Sequence, residues 1–220
     1  MATTTGLRRS EQMLLFGRNF FKHPKMLGSL IPSSRFLIRQ LLAPVDWDRA
    51  RVIVEYGPGV GTITTEVLRR MRPDARMIAI DTNRDFADYL GRRIRDPRFE
   101  VVLGSAADVE RILAERGITH ADYAISGIPY TTIPVGIREE ILRATRRVLE
   151  PGGTFLVYQF TRAVLHDLRE VFGHVEEGFE PLNVLPARLF FAPTNGTSAP
   201  GPNGKPRTNG TAAGMRNGRH

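Results

Sequence analysis

From Arg51 to Ala192, short continuous apolar runs alternate with stretches whose apolar residues recur every third or fourth position. The first kind reads as strand buried on both faces, the second as amphipathic helix. Strands are predicted at Val52–Tyr56, Arg76–Asp81, Phe99–Leu103, Ala121–Ser126 and Thr154–Phe160. Helices fall between them at Thr62–Met71, Asn83–Arg95, Val109–Arg116 and Pro134–Leu149, the last with Ile137, Ile141 and Val148 on one face. Pro151-Gly152-Gly153 reads as the break that ends this helix. Arg162–Phe172 is a further helix. His174–Glu180 and Val184–Ala192 are two strands joined by a Pro-containing loop. Such alternation predicts an α/β fold, a seven-stranded, mostly parallel sheet with helices on both faces. The last two strands have no helix between them, so an antiparallel strand is expected at one edge.

Both ends lie outside this pattern. In residues 10–42, Ser10 can cap a helix bearing Met13, Leu14, Phe16, Phe20 and Phe21, with Arg9, Arg18 and Lys22 among its other positions. That composition suits an interfacial helix, and equally a lid over the sheet. Residues 193–220 are rich in Gly, Pro, Asn and Thr and are expected to be disordered. The organisation is therefore a basic helical extension over 1–45, a folded domain over 46–192 and a tail over 193–220.

The net charge of +8 is unevenly placed. Residues 1–40 carry seven Lys/Arg against Glu11, and residues 193–220 carry four with no acid, which leaves 41–192 at −2. Basic ends on a near-neutral body point to an anionic partner, either nucleic acid or a membrane surface. The absence of cysteine excludes a disulfide framework, a thiolate nucleophile and a cysteine metal site. No run is long and apolar enough for a membrane span, and the start lacks the apolar core of a secretory signal. A cytoplasmic monomer is expected, and the two Asn-Gly-Thr triplets in the tail read as accidental.

Candidate chemistry gathers where strands end. Val54-Glu55-Tyr56-Gly57-Pro58-Gly59-Val60-Gly61 follows a strand and opens a helix. Its glycines allow the backbone to turn tightly and approach a ligand. Glu55 could accept from an ammonium and would sit poorly beside a pyrophosphate. Asp81, twenty residues after Gly61 and followed by Thr82, is placed to grip two ribose hydroxyls. Asp108 could cap the helix after the third strand. The fourth strand ends in Ser126-Gly127-Ile128-Pro129-Tyr130.

The first of these motifs resembles the Glu/Asp-x-Gly-x-Gly-x-Gly signature of class I S-adenosylmethionine-dependent methyltransferases, which have a Rossmann-like sheet. The resemblance implies that Glu55, Gly57, Pro58, Gly59 and Gly61 hold the methionine part of the cofactor. Asp81 and Thr82 would hold the ribose, with Ser105 and Ala106 edging the adenine. Ser126 to Tyr130 resembles the Asn/Asp/Ser-x-Pro-Tyr/Phe loop of enzymes that methylate amino nitrogens. It implies that Ser126 borders both cofactor and acceptor, that Tyr130 walls the methyl sulfonium and that Pro129 shapes the loop.

Two families share this core, the ribosomal-RNA adenine dimethylases and the small soluble bacterial phosphatidylethanolamine N-methyltransferases with their ornithine-lipid relatives. Over roughly residues 12–192 the chain is more similar to the second. The similarity rests on Phe20-Phe21-Lys22-His23-Pro24, on Gly28-Ser29-Leu30-Ile31-Pro32-Ser33-Ser34-Arg35 and on the two loops above. The RNA enzymes usually carry Asn at the position of Ser126 and append a helical RNA-binding domain. The expectation is therefore methylation of phosphatidylethanolamine, releasing S-adenosylhomocysteine, by a protein peripherally attached to an anionic membrane and not binding nucleic acid. Methylation of an ornithine lipid or of RNA adenine are the alternatives. Ser33, Ser34 and Arg35, with Arg162 and Arg188, are candidates for the lipid phosphate and its surroundings. Tyr158, at the end of the fifth strand, could border the acceptor, and His166 could accept its proton.

Overall fold

A computed structural model describes residues 34–183 and 185–195. The expectations for the segment beginning at Ser10, for Ser33 and for the tail beyond residue 195 lie outside those residues. In chain order the elements are α1 (Arg35–Leu41), β1 (Val52–Tyr56), α2 (Thr62–Arg70), β2 (Arg76–Asp81), α3 (Arg84–Arg93), β3 (Phe99–Leu103), α4 (Val109–Ala114), β4 (Ala121–Ser126), α5 (Val135–Val148), β5 (Leu149–Gln159), α6 (Leu165–Phe172), β6 (Glu176–Glu180) and β7 (Ala187–Pro193). The seven strands form one sheet in the order β3-β2-β1-β4-β5-β7-β6. β1 to β5 are mutually parallel, and β7 is antiparallel to both β5 and β6. This is the sheet expected, with the reversed strand one place in from the edge.

Alternation along the strands fills two cores. Val54, Tyr56, Ile78, Ile80, Phe155 and Val157 face one way and pack with Ile112, Ile141, Leu142, Leu168 and Phe172 from α4, α5 and α6. Ile53, Met77, Ile125, Leu156 and Leu189 face the other way, against Leu37, Leu41, Ile63 and Val67 from α1 and α2. Successive strand side chains point to opposite faces, so a run such as Val52–Tyr56 must be apolar throughout to serve both layers. Truncating Phe155, fully buried, would cost about 3–5 kcal/mol.

Pro151-Gly152-Gly153 is not a break between helix and strand. α5 stops at Val148 and β5 already begins at Leu149. Ala121 pairs with Leu149, but Tyr123 pairs with Thr154, so the extra residues bulge out of β5. Gly152 takes φ +93°, and a Cβ on Gly153 would stand 2.9 Å from the Asp122 carbonyl. Glycines are needed there because the bulge presses backbone against backbone. The other departures are boundary shifts: α6 starts at Leu165, β6 at Glu176 and β7 at Ala187.

Candidate active site

β1 to β5 end along one edge of the sheet, and the loops leaving that edge are held by the ladder itself. Gly57 N donates to Ile80 O at 2.9 Å, Gly104 N to Asp81 O at 3.0 Å and Gly127 N to Tyr56 O at 3.2 Å. The first residue beyond β1, β3 and β4 is thus pinned to its neighbouring strand. Gly57, Gly59 and Gly61 all have positive φ, at 67°, 56° and 79°. A Cβ on Gly57 would stand 2.7 Å from Ile128 Cγ2, and one on Gly61 2.6 Å from Leu90 Cδ2. The glycine loop therefore lies directly against the loop after β4, and only glycine satisfies both the dihedrals and the space.

Between these loops is a cavity of about 440 Å³. Gly57, Gly59, Asp81, Thr82, Gly104, Ser105 and Ala106 form its polar side; Phe86, Ile128, Pro129, Ile133, Ile137 and Ile141 form its apolar side. Asp81 is 7% exposed, and its carboxylate accepts from Gly59 N at 3.3 Å and Asn83 N at 2.8 Å. Burial pushes its pKa up to about 6, against the pull of those two bonds. Glu55 is buried outside the cavity wall and accepts from Thr64 Oγ1 at 2.6 Å. Burial raises it to about 7; the Thr64 bond opposes the rise and the charge of Asp81 adds to it. Two carboxyls raised by burial make an environment that a cation would relieve.

Several residues singled out from sequence meet in this cavity. Pro58 sits within the glycine loop, its carbonyl accepting from Gly61 N at 2.9 Å. Ser105 caps the single turn Ala106–Asp108, accepting from Ala107 N at 3.2 Å. Asp108 makes no side-chain cap to α4. Ser126 and Tyr130 stand elsewhere. Both are fully buried, their hydroxyls 3.1 Å apart, and neither is in the wall. The Tyr130 ring belongs to the core beneath the loop, where burial raises its pKa, so it is not a wall facing the methyl donor. Tyr158 packs under the same loop; a Cβ at Gly127 would overlap its ring.

The remaining candidates lie outside the cavity. The His166 side chain is 79% exposed, beside Asp167 and Glu170, so it is not positioned to take a proton there. Arg162 is paired with Glu177 at 2.7 Å. Ser34 caps α1, accepting from Leu37 N at 3.1 Å. The Arg35 and Arg188 guanidiniums lie over the rings of Phe36 and Phe179, at 4.8 and 5.7 Å.

The apolar wall was missed. Ile137 and Ile141 share the apolar face read from the sequence, but Ile141 meets both core and cavity while Ile137, a turn earlier, meets the cavity. Gln159 was also missed. Its Nε2 donates to Ile128 O at 2.8 Å, tying β5 to the loop after β4; a polar residue ending a buried strand was the available signal.

Residues 53–153 match the methyltransferase domain family. The chain is 37% identical over 183 residues to an ornithine lipid N-methyltransferase of Singulisphaera acidiphila, covering 82% of this chain and 95% of that protein. It is 28% identical to a ribosomal RNA small subunit methyltransferase A of Mycoplasma capricolum, over 58% of this chain and 45% of the relative. Among solved structures, a 1,6-didemethyltoxoflavin-N1-methyltransferase of Burkholderia thailandensis with bound S-adenosylhomocysteine shares the fold. Its TM-score is 0.54 at 16% identity, over 86% of this chain and 91% of that one. A precorrin-6y C5,15-methyltransferase of Geobacter metallireducens gives 0.56 at 18% identity, over 71% and 86%. The chain therefore belongs to the S-adenosylmethionine-dependent methyltransferases, in the family that includes the Singulisphaera ornithine lipid enzyme.

Proposed function

We propose that the chain transfers a methyl group to the amine of a membrane-lipid head group, with an ornithine lipid the first acceptor to test and phosphatidylethanolamine the second. One observation carries the lipid reading: 95% of a relative named for an ornithine-lipid amine is matched at 37% identity, against 45% of the ribosomal-RNA relative at 28%. It moves the ornithine lipid ahead of the phosphatidylethanolamine expected from sequence.

S-adenosylmethionine supplies an electrophilic methyl group, and the residues present fit it. The positive-φ glycines leave the loop free of side chains, and buried Asp81 offers a carboxylate to ribose hydroxyls. Ser105 and Ala106 would edge the adenine, and Glu55, raised to about 7 by burial, would favour a nearby cation. The acceptor amine would lie against Ile128 and Pro129. Pro129 O already accepts from Thr132 N at 3.0 Å and Thr132 Oγ1 at 2.9 Å, which uses both lone pairs. Ile128 O accepts only from Gln159 among the described residues and keeps one lone pair to orient an N–H. Phe86, Ile133 and Ile137 exclude water, which favours the neutral amine whose lone pair makes the new bond. Positioning and desolvation supply the rate, and the product nitrogen sheds its proton to solvent.

The test offers the purified chain methyl-labelled cofactor with ornithine lipid vesicles, phosphatidylethanolamine vesicles and ribosomal RNA in parallel. Label is expected in a lipid; label in RNA alone would overturn the reading.

A further inference from the structure

We infer that the edge of the folded domain where the cavity opens is itself a docking surface for an anionic lipid bilayer, built around the β6–β7 hairpin and α1. The choice of partner rests on the lipid reading above. Because β7 reverses and β6 reverses again, β6 runs in the same direction as β1 to β5. Its end at Glu180, and residues 181–183 and 185–186 beyond it, thus project past the same edge as the cavity. α1 is fastened to this end: Ser34 N donates to Asn183 Oδ1 at 2.8 Å and Gln40 Nε2 to Glu180 Oε2 at 2.6 Å.

Large hydrophobic side chains are exposed on this edge. On the hairpin, Leu182 is 64% exposed, Phe179 52% and Leu185 44%, with Phe36 of α1 beside them at 38%. Val135 and Ile137, at the start of α5, are also exposed, and Ile137 continues into the cavity wall. Leu103 completes the exposed large hydrophobics among the described residues, and it ends β3 at the same edge. The opposite edge carries ion pairs such as Arg72–Asp74 and Arg51–Asp74, and none of the exposed large hydrophobic side chains among the described residues. Scattered apolar residues need no explanation, but segregation to one edge marks an interaction surface.

The exposed leucines are held in place. Glu180, 3% exposed, accepts from Leu182 N at 2.6 Å, and Asn183, 8% exposed, donates to Leu185 O at 3.0 Å. Two buried polar side chains thus fix a turn that presents leucine to solvent, where an apolar phase could take it up.

The charges select the partner. Arg35 and Arg188 flank the patch over Phe36 and Phe179, and neither has a carboxylate ion pair among the described residues. Unpaired guanidinium beside aromatic and leucine side chains fits lipid phosphate above acyl chains. A lipid could then reach the cavity without leaving the bilayer.

The experiment compares the full chain with its L182S/L185S variant on vesicles of phosphatidylglycerol and phosphatidylcholine. Vesicle affinity should fall about tenfold or more, with S-adenosylhomocysteine affinity and the thermal midpoint unchanged. Methylation of vesicle-embedded lipid should fall in step, while that of a detergent-dispersed short-chain analogue stays level. In a separate L182W variant the added fluorescence should be quenched by brominated acyl chains. Unchanged vesicle affinity, absent quenching, or loss of a dimer instead of membrane binding would each overturn the inference. Lost vesicle affinity in a protein that methylates no lipid would support the surface and remove the proposed function.

Discussion

Glu55 and Asp81 are both held above the ordinary carboxylate range by burial, to about 7 and about 6. The sign of the consequence is fixed. From about pH 4.5 to about 7 the folded protein holds a proton on Glu55 that the unfolded chain has lost. The cofactor-free protein should therefore lose stability as pH rises through that window, and Asp81 adds the same trend at slightly lower pH. A bound cation favours the ionised carboxylates, so binding should release protons and tighten with pH, by up to about tenfold per pH step for each proton released. Calorimetry of S-adenosylmethionine in two buffers of different ionisation enthalpy measures that release; proton uptake would contradict it. Gly57→Ala tests the loop. With φ +67° and Ile128 Cγ2 2.7 Å from the new Cβ, it should cost about 1–3 kcal/mol of stability and weaken cofactor binding, as read by thermal melts with and without S-adenosylhomocysteine. The glycines and Asp81 were legible because a ligand approaching bare backbone at a strand end demands those residue types in that order. Tyr130 was not. Its place in the motif gives the loop, but whether a ring turns into a cavity or into the core depends on packing that spacing does not encode.

The loop after β4 is governed from another element. Gln159, at the end of β5, holds the Ile128 carbonyl, so Gln159→Leu would leave that acceptor without its donor and free the loop to shift. The expected result is a fall in kcat on the order of 10- to 100-fold, with S-adenosylhomocysteine affinity little changed. Equal loss of both would make Gln159 a structural residue only. The element order was readable because buried parallel strands need apolar runs and their crossover helices need one apolar face. The Pro-Gly-Gly segment misled because the same residues that end a helix also make a bulge; only the pairing of Ala121 with Leu149 and Tyr123 with Thr154 distinguishes them. The start of α5 misled for a related reason, since an apolar stripe looks the same whether it meets a core or, as at Ile137, a cavity.

At the scale of the whole domain, the sheet has two unlike edges. The cavity and the exposed large hydrophobic side chains among the described residues gather at one of them. No helix among the described residues is long and apolar enough to cross a membrane. In the inference above, lipid meets this edge, with Arg35 and Arg188 as its cations. Charge attraction of that kind is screened by salt. Raising ionic strength from about 0.05 to about 0.5 M should therefore weaken vesicle binding and leave cofactor binding largely intact. Pelleting assays across that range check it, and salt-independent vesicle binding would argue against the cationic contribution. In the proposed reaction the cavity under the glycine loop delivers a methyl group to a lipid amine. The most direct measurement is mass spectrometry of head groups after vesicles of ornithine lipid and phosphatidylethanolamine are incubated with S-adenosylmethionine and either the intact chain or its Asp81→Ala variant. N-methylated head groups are expected with the intact chain, and a large loss with the variant. Unmodified lipid in both, or equal methylation by both, would contradict it.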